Sequence, residues 1–471
     1  MELSYSGLVL IGYMAVLLLI GVYASKSASS GDAFLIADRQ LGPIIAGLAY
    51  AASSSSAWVL LGFTAFVASS GVSALWMVPG ILVGYAAVWF GVGPFLQEAA
   101  RREKWVSAVD ILAADMTDGE ARFLRPLAAM IVAFCFVFYI AAQLQASGVA
   151  IADVFSLNIN LAIIISVLIV FIYTLFGGFL AVSLTDMLQG LSIAVVAVIL
   201  PIAVLANQGG VDTLLAGASE ANLSDGSAFA GHMGFAVLGF LVGVSSIGFG
   251  ALGQPHLLAW VMSVKDRSSR LTGGVVAILW AALVYAGMTV IGLVMSQQGA
   301  ALDQGERLLL FAAGEAASPM MVALLTAAII SAIMSTIDSQ LLVASGVISR
   351  DLIARRAASI SEVSQVRLII GAICILSVLL AFYLPATIFE RVLFAWTALG
   401  AAFGPIVVFR ACKLSQKPGV TTAAMLVGFG VAVGASLLED KGPGAWLERT
   451  APWMLAGIIL FFGRKRSNAP E

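Results

Sequence analysis

Long apolar runs, each about 20 residues and separated by short polar stretches, dominate the chain. Thirteen fall at residues 6–24, 43–68, 73–97, 124–150, 159–178, 184–206, 231–256, 272–297, 316–348, 366–384, 387–409, 419–438 and 445–463. About 20 apolar residues is what an α-helix needs to cross the hydrocarbon of a bilayer. The pattern therefore predicts an all-α, polytopic membrane protein of about 13 transmembrane helices. The connections are short, so residues 1–471 form one unit with no separate soluble domain. A cleaved leader is the rival reading of the first run. Glu2 is acidic, no basic stretch precedes the run and the run is long for a leader, so 6–24 is read as a helix.

Composition agrees: 61% of residues are hydrophobic and 11% charged, where soluble domains carry about 25% charged residues. The net charge of −2 assigns no partner, and nothing in the pattern suits nucleic acid. The placement of charge says more. With the N-terminus outside, only Arg307, Arg391, Lys441 and Arg449 of the 24 basic residues fall on the outer side. The positive-inside rule then gives an odd helix count, N-out and C-in. Cys135, Cys374 and Cys412 are read as packing residues in apolar segments, without disulfide or metal spacing. His232 is expected at a helix entrance and His256 just beyond Pro255. No HExxH, nucleophile elbow or P-loop is present, so the chain reads as no enzyme and draws no energy from ATP.

Two runs are unlike the rest. "LAYAASSSSAWVLLGF" at 48–63 sets four serines in the second run, and "GVSSIGFGALGQPH" at 243–256 crowds glycines and a proline into the seventh. Both weaken a helix, and an unwound helix survives at membrane depth only where it lines a cavity or is buried in protein. The two runs stand five apart. Two five-helix units starting there would be inverted relative to one another, the arrangement in which paired interrupted helices mark a midplane solute and ion site. Close helix packing by small residues is the plain alternative for each run.

Polar residues supply candidates. In "AAIISAIMSTIDSQLLVASG", 327–346, Ala332, Ser335, Thr336 and Ser339 share one helix face, with Asp338 among them. Several oxygens on one face suit a hard cation, although serine and threonine also bond back to their own helix. Asp186, in "FLAVSLTDMLQG", is a second acid inside the apolar pattern. It equally fits a Ser183-x-x-Asp186 cap at a helix start, and the two roles can coexist. Tyr139 and Gln143, four apart, share a face and suit either a cavity or an interhelical hydrogen bond. Trp58 suits a cavity wall or ordinary packing.

With these stretches together, and with "FGGFLAVSLTDMLQG" at 176–190, "GFGALGQPHLLAWVM" at 248–262, "AIMSTIDSQLLVASGVISRDL" at 332–352 and "FAWTALGAAFGPIVVF" at 394–409, the chain resembles the sodium:solute symporter family, and within it the proline symporter group. The resemblance implies a LeuT-like five-plus-five inverted repeat, with 6–24 an extra N-terminal helix, 43–206 the first repeat, 231–409 the second and 419–463 two C-terminal helices. It also implies a sodium site from the carbonyls of Ala52, Ser55 and Ala332 and the hydroxyls of Ser335 and Thr336. A second cation or proton site would comprise Asp186, Ser335, Asp338 and Ser339. The solute cavity would take Ser54, Trp58, Tyr139, Gln143, Ile247, Ala251, Pro255, Phe394 and Trp396.

Two departures stand out. Proline carriers typically read "SDMSGW" where this chain reads "SSSSAW", so Ser54 replaces an acid linked to sodium use, and Ile247 and Ala251 replace an aromatic pair. The expectation is Na+-coupled import of a small organic solute, proline or a related amino acid or betaine, by alternating access across the cell's inner (plasma) membrane. Na+ is the co-transported ion, no organic cofactor is expected, and the bilayer and the solute are the partners. The oligomeric state is open, a monomer being sufficient. The alternatives are proton coupling through Asp338 or Asp186, and a solute sensor; the chain ends soon after Gly463 without a kinase region, so a sensor would need a separate partner.

Overall fold

The computed structural model describes residues 5–24, 31–219, 228–299, 303–316, 319–353, 361–383, 388–438 and 446–465. Glu2 and Lys441, used above for the leader and charge arguments, lie outside them. Helices cover every apolar run. In chain order they are α1 (Tyr5–Ala24), α2 (Gly31–Ile36), α3 (Pro43–Ala57), α4 (Thr64–Ser70), α5 (Met77–Ala86), α6 (Gly93–Arg102), α7 (Ala108–Ala113), α8 (Asp118–Phe155), α9 (Ile159–Asn207) and α10 (Gly210–Ala218). They continue as α11 (Phe235–Ser245), α12 (Pro255–Met262), α13 (Arg267–Met295), α14 (Leu308–Ala316), α15 (Pro319–Val347), α16 (Glu362–Tyr383), α17 (Ile388–Ala411), α18 (Val420–Ser436) and α19 (Trp446–Phe462). Among the described residues, 8 helices are long and apolar enough to cross a membrane, and Gly7–Tyr23, Ile159–Ile172 and Val420–Ser436 are shorter apolar helices.

One boundary differs from the sequence reading. Runs 159–178 and 184–206 belong to two helical halves of α9 that meet at a kink at Gly178 (φ 58, ψ −165), so the second half begins before Ser183. Glycine is needed there: the backbone is left-handed, and a Cβ would lie 2.9 Å from the Phe34 ring. The Ser183-x-x-Asp186 cap therefore fails, because no helix starts there. Ser183 Oγ instead donates to the Phe179 carbonyl one turn back, 2.6 Å away. Cys412 is also corrected: it lies exposed beyond the end of α17, whereas Cys135 and Cys374 are buried.

Burial sorts the helices. The most apolar stretch within Met320–Ile353 is 78% buried and that within Val392–Ala411 is 83% buried, against 39% for Glu362–Tyr383. So α15 and α17 stand at the centre and α16 at the periphery. Glycines permit close approach between α5 and the glycine-rich stretch after α11. A Cβ on Gly84 of α5 would collide with the Gly248 backbone, and one on Gly248 with Gly80, as small-residue packing in membranes requires.

The charge-rule cations of the inner side are brought together by direct contacts. Arg125 pairs with Asp110 (2.9 Å) and Asp351 (2.6 Å), Arg350 with Asp32 (3.2 Å) and Glu362, and Arg410 with Asp115 (3.1 Å). Nearby, the Leu41 N–H donates to the Ser263 carbonyl and the Lys265 N–H to the Leu41 carbonyl, each at 3.0 Å. These two bonds tie the entry of α3 to the exit of α12. The Arg101 guanidinium fastens the junction, donating to the carbonyls of Arg39 (3.0 Å), Val264 (3.1 Å) and Lys265.

Candidate functional site

The serine run breaks its helix at Ser56, where φ is 50 and ψ −175. A non-glycine residue in that region costs about 1–3 kcal/mol and persists only if its surroundings enforce it. They do. The Ala57 N–H, which would otherwise bond to the Ser53 carbonyl, donates to Gln143 Oε1 of α8 at 2.9 Å. The Ser53 carbonyl accepts from Thr336 Oγ1 of α15 at 3.0 Å. Tyr139 Oη donates to Ser56 Oγ at 3.4 Å, and that oxygen also accepts from the Trp58 N–H at 3.3 Å. Past the break, Trp58–Phe63 form a wide π-type turn.

The stripe on α15 meets this break. Ser335 Oγ donates to the Ala332 carbonyl at 3.2 Å, and Thr336 Oγ1 lies 3.0 Å from that same carbonyl as well as from Ser53 O. Ala52 and Ser55 occupy the last turn of α3 before the break, and all these residues are buried. Hydroxyls and carbonyls converge there, which is the oxygen-rich setting a hard cation needs.

A second cluster adjoins it. Ser53 Oγ donates to Asp186 Oδ2 at 2.8 Å, and the Asp338 carboxyl lies beside that of Asp186. Ser339 donates its N–H to Asp338 Oδ1 at 2.6 Å and its hydroxyl to the Ser335 carbonyl at 2.9 Å. Two carboxyl groups side by side at membrane depth require a cation or a shared proton between them.

The second break is built differently. Ser246–Gly253 form a tight 3-10 stretch, Gln254 is extended (φ −82, ψ 110), and Pro255 starts α12. Trp396 Nε1 of α17 donates to the Ile247 carbonyl at 2.8 Å, and Gln254 Nε2 donates to the Trp396 carbonyl at 2.9 Å. The absent side chain of Gly250 makes room for that indole. Helix α17 also touches the Trp58–Phe63 turn, so both breaks share one neighbour. His256 is buried edge-on to Phe136, with ring centroids 5.3 Å apart.

The expected residues divide accordingly. Trp58, Tyr139, Gln143, Ile247, Ala251, Pro255 and Trp396 are buried on or beside the two breaks. Trp58 tilts against Tyr285, with centroids 6.3 Å apart. Two others have partners of their own. Phe394 is half-buried and packs on Phe134 and Phe138 at 6.4 and 6.2 Å, where Phe134 is itself 42% exposed, so it is turned away from the breaks. Ser54 bonds to the Ala51 carbonyl (2.9 Å) and to Tyr85 of α5, so its hydroxyl is taken up by protein partners. Ser53 was missed by the sequence reading, although it is the residue that joins both oxygen clusters. Tyr13 of α1 was missed too; its Oη lies 2.6 Å from Ser331 Oγ of α15.

Comparisons with known proteins fit this geometry. The chain is 29% identical over 464 residues to the high-affinity proline transporter PutP of Bacillus subtilis, covering 97% of each protein. It is 30% identical over 437 residues to sodium/proline symporter 2 of Staphylococcus saprophyticus, covering 89% of this chain and 84% of that one. In structure it is similar to a substrate-bound, outward-open Na+-coupled sialic acid symporter, with a TM-score of 0.79 at 19% identity over 98% of this chain and 99% of that one. MhsT in complex with L-phenylalanine gives a TM-score of 0.56 at 16% identity over 90% and 98%. The fold is thus the LeuT-like inverted-repeat fold of these transporters. The sodium:solute symporter family profile matches residues 34–425, and the chain belongs to that family.

Proposed function

We propose that this protein imports a small organic solute across the plasma membrane in symport with Na+, by alternating access. Proline or a closely related amino acid or betaine is the leading solute class. The observation that carries the reading is the bond from Thr336 Oγ1 to the carbonyl of Ser53, which sets the hydroxyl face of α15 against the broken end of α3. Sodium sits among the carbonyls of Ala52, Ser55 and Ala332 and the hydroxyls of Ser335 and Thr336. A second cation is held by Asp186, Ser335, Asp338 and Ser339. The solute occupies the space between the breaks, against Trp58, Tyr139, Gln143, Ile247, Ala251 and Pro255. Residues 43–206 and 231–409 act as the inverted repeats, within about thirteen spanning helices running N-out to C-in. No organic cofactor takes part, and a monomer suffices.

The named proline carriers among the relatives support the solute class, while Ile247 and Ala251 provide an aliphatic wall suited to a compact solute without an aromatic ring. The energy is adequate: one charge moving inward gains about 2.3 kcal/mol per 100 mV, or a roughly fiftyfold concentration ratio. Proton coupling is favoured by one observation, the adjoining carboxyls of Asp186 and Asp338. The experiment that separates the readings is uptake of labelled proline, other amino acids, betaines and sugars into proteoliposomes under an inward sodium or proton gradient. Accumulation that requires sodium supports the proposal. Accumulation driven by protons alone removes the sodium assignment, and a solute that binds but is moved by neither gradient points to a sensor.

A further inference from the structure

Where α6 ends and α13 begins, Arg101, Lys265, Arg267 and Arg270 line one cavity of about 590 Å³. Five other basic residues on this side, Arg39, Arg102, Arg125, Arg350 and Arg410, have acidic partners at 3.3 Å or closer. Among the described residues, none of the four in the cavity has an ion-pair partner. The two acids in the cavity lining do not balance them. Asp266 accepts from the Ser269 N–H at 2.7 Å as the cap of α13, and Glu98 faces Arg102 at 3.9 Å. Two of the cations are spent on protein carbonyls. Arg101 clamps the junction described above, and Arg270 is buried, donating to Trp89 O at 2.7 Å and to Gln97 Oε1 at 3.3 Å. Lys265 and Arg267 remain exposed beside them; the Asp266 carboxylate feels the charges of Lys265 and Arg101, but two acids against four cations leave the lining net positive.

The helix above the cavity carries the other half of the pattern. Arg267, Leu271, Val275, Leu279 and Leu283 follow at intervals of four, a ridge that winds about 40° around α13 at each step, so that Arg267, Leu271 and Val275 share one side. The four apolar members are 40%, 49%, 65% and 41% exposed. The ridge thus begins at an unpaired cation and continues up a lipid-facing surface. A ligand matching both ends has an anionic phosphate and a long hydrocarbon chain.

We propose that this cavity binds the phosphate headgroup of an anionic phospholipid from the inner leaflet, with an acyl chain starting along Leu271 and Val275. The leaflet follows from the N-out, C-in orientation under the proposed function. The lipid phosphate supplies the counter-charge to Lys265 and Arg267. It also braces the junction that holds the inner ends of α3 and α12 together, since Lys265 donates its N–H to Leu41 and accepts from Arg101.

The test is native mass spectrometry of the purified full chain titrated with phosphatidylglycerol or with phosphatidylcholine. The wild type is expected to retain phosphatidylglycerol in preference. Juxtamembrane cations contribute about a factor of five each, so Lys265→Gln with Arg267→Gln should weaken phosphatidylglycerol binding roughly 30-fold and Arg267→Gln alone about fivefold. Lys265→Arg with Arg267→Lys should keep it. Should the double variant fail to fold, the single variant and the charge-keeping pair decide. Unchanged phosphatidylglycerol affinity in the neutral variants, or equal binding of phosphatidylcholine, overturns the proposal. Full competition by millimolar inorganic phosphate overturns the lipid assignment in favour of a free-anion site. None of these readouts depends on transport, so failure here is distinct from failure of the symporter reading.

Discussion

At the first break, between α3 and α4, polar groups from other helices take up the backbone: Gln143 from α8 and Thr336 from α15, with Ser53 reaching Asp186 on α9. At the second, between α11 and α12, glycines let neighbouring backbones close in, and Trp396 and Gln254 make the bonds. The first break presents oxygens and is suited to a cation. The second presents shape, an aliphatic and glycine surface held in place by one indole, and faces Trp58, Tyr139 and Gln143 across the space suited to the body of a solute. Both breaks satisfy the rule that backbone polar groups at membrane depth need partners, but they leave different chemistry exposed. On this account ion coupling and solute selection are separable by mutation.

The most damaging challenge to that separation is Ser335→Ala combined with Thr336→Ala. Losing two cation-facing hydroxyls, at about 1.5 kcal/mol each, should raise the half-activating sodium concentration for uptake roughly 100-fold. Solute affinity at saturating sodium should change little; unchanged sodium dependence would remove the assigned site. At the second break, Gly250→Ala drives a methyl into the Trp396 indole and should lower stability by about 2 kcal/mol, read as a fall in melting temperature. An unaltered melt would mean that Trp396 has room to shift. Trp58→Ala is expected to weaken solute binding about tenfold at normal expression. A variant that transports like the wild type would make Trp58 a packing residue. The smallest effect is assigned to Trp396→Phe, which keeps a ring but removes the donor to Ile247. About 1 kcal/mol, a roughly fivefold loss of solute affinity with sodium activation unchanged, is expected. A shift in sodium activation instead would join the two breaks that the account keeps apart.

Much of this arrangement is written locally in the sequence. Spanning helices appear as apolar runs because lipid tolerates little else, and the breaks appear as serine, glycine and proline density. The face Ala332–Ser335–Thr336–Ser339 follows from helical spacing alone, and Thr336 does reach α3. What was not legible depends on partners distant in sequence. Four consecutive serines place hydroxyls around the whole helix, so spacing cannot tell that Ser53 turns to Asp186 while Ser54 turns to Tyr85. The direction of Phe394 is likewise fixed by Phe134 and Phe138 on another helix. Asp186 resembled a cap because Ser-x-x-Asp is a local signal, whereas the helix that carries it starts earlier, at the Gly178 kink.

The claim on which the rest depends is that the oxygens around the first break bind sodium. It is tested most directly by equilibrium binding of radioactive sodium to the purified protein without solute, for the wild type and for the Ser335→Ala, Thr336→Ala double variant. Saturable binding by the wild type that weakens roughly 100-fold in the variant is the predicted result. Equal binding by both proteins, or none by a folded wild type that still transports, would contradict it.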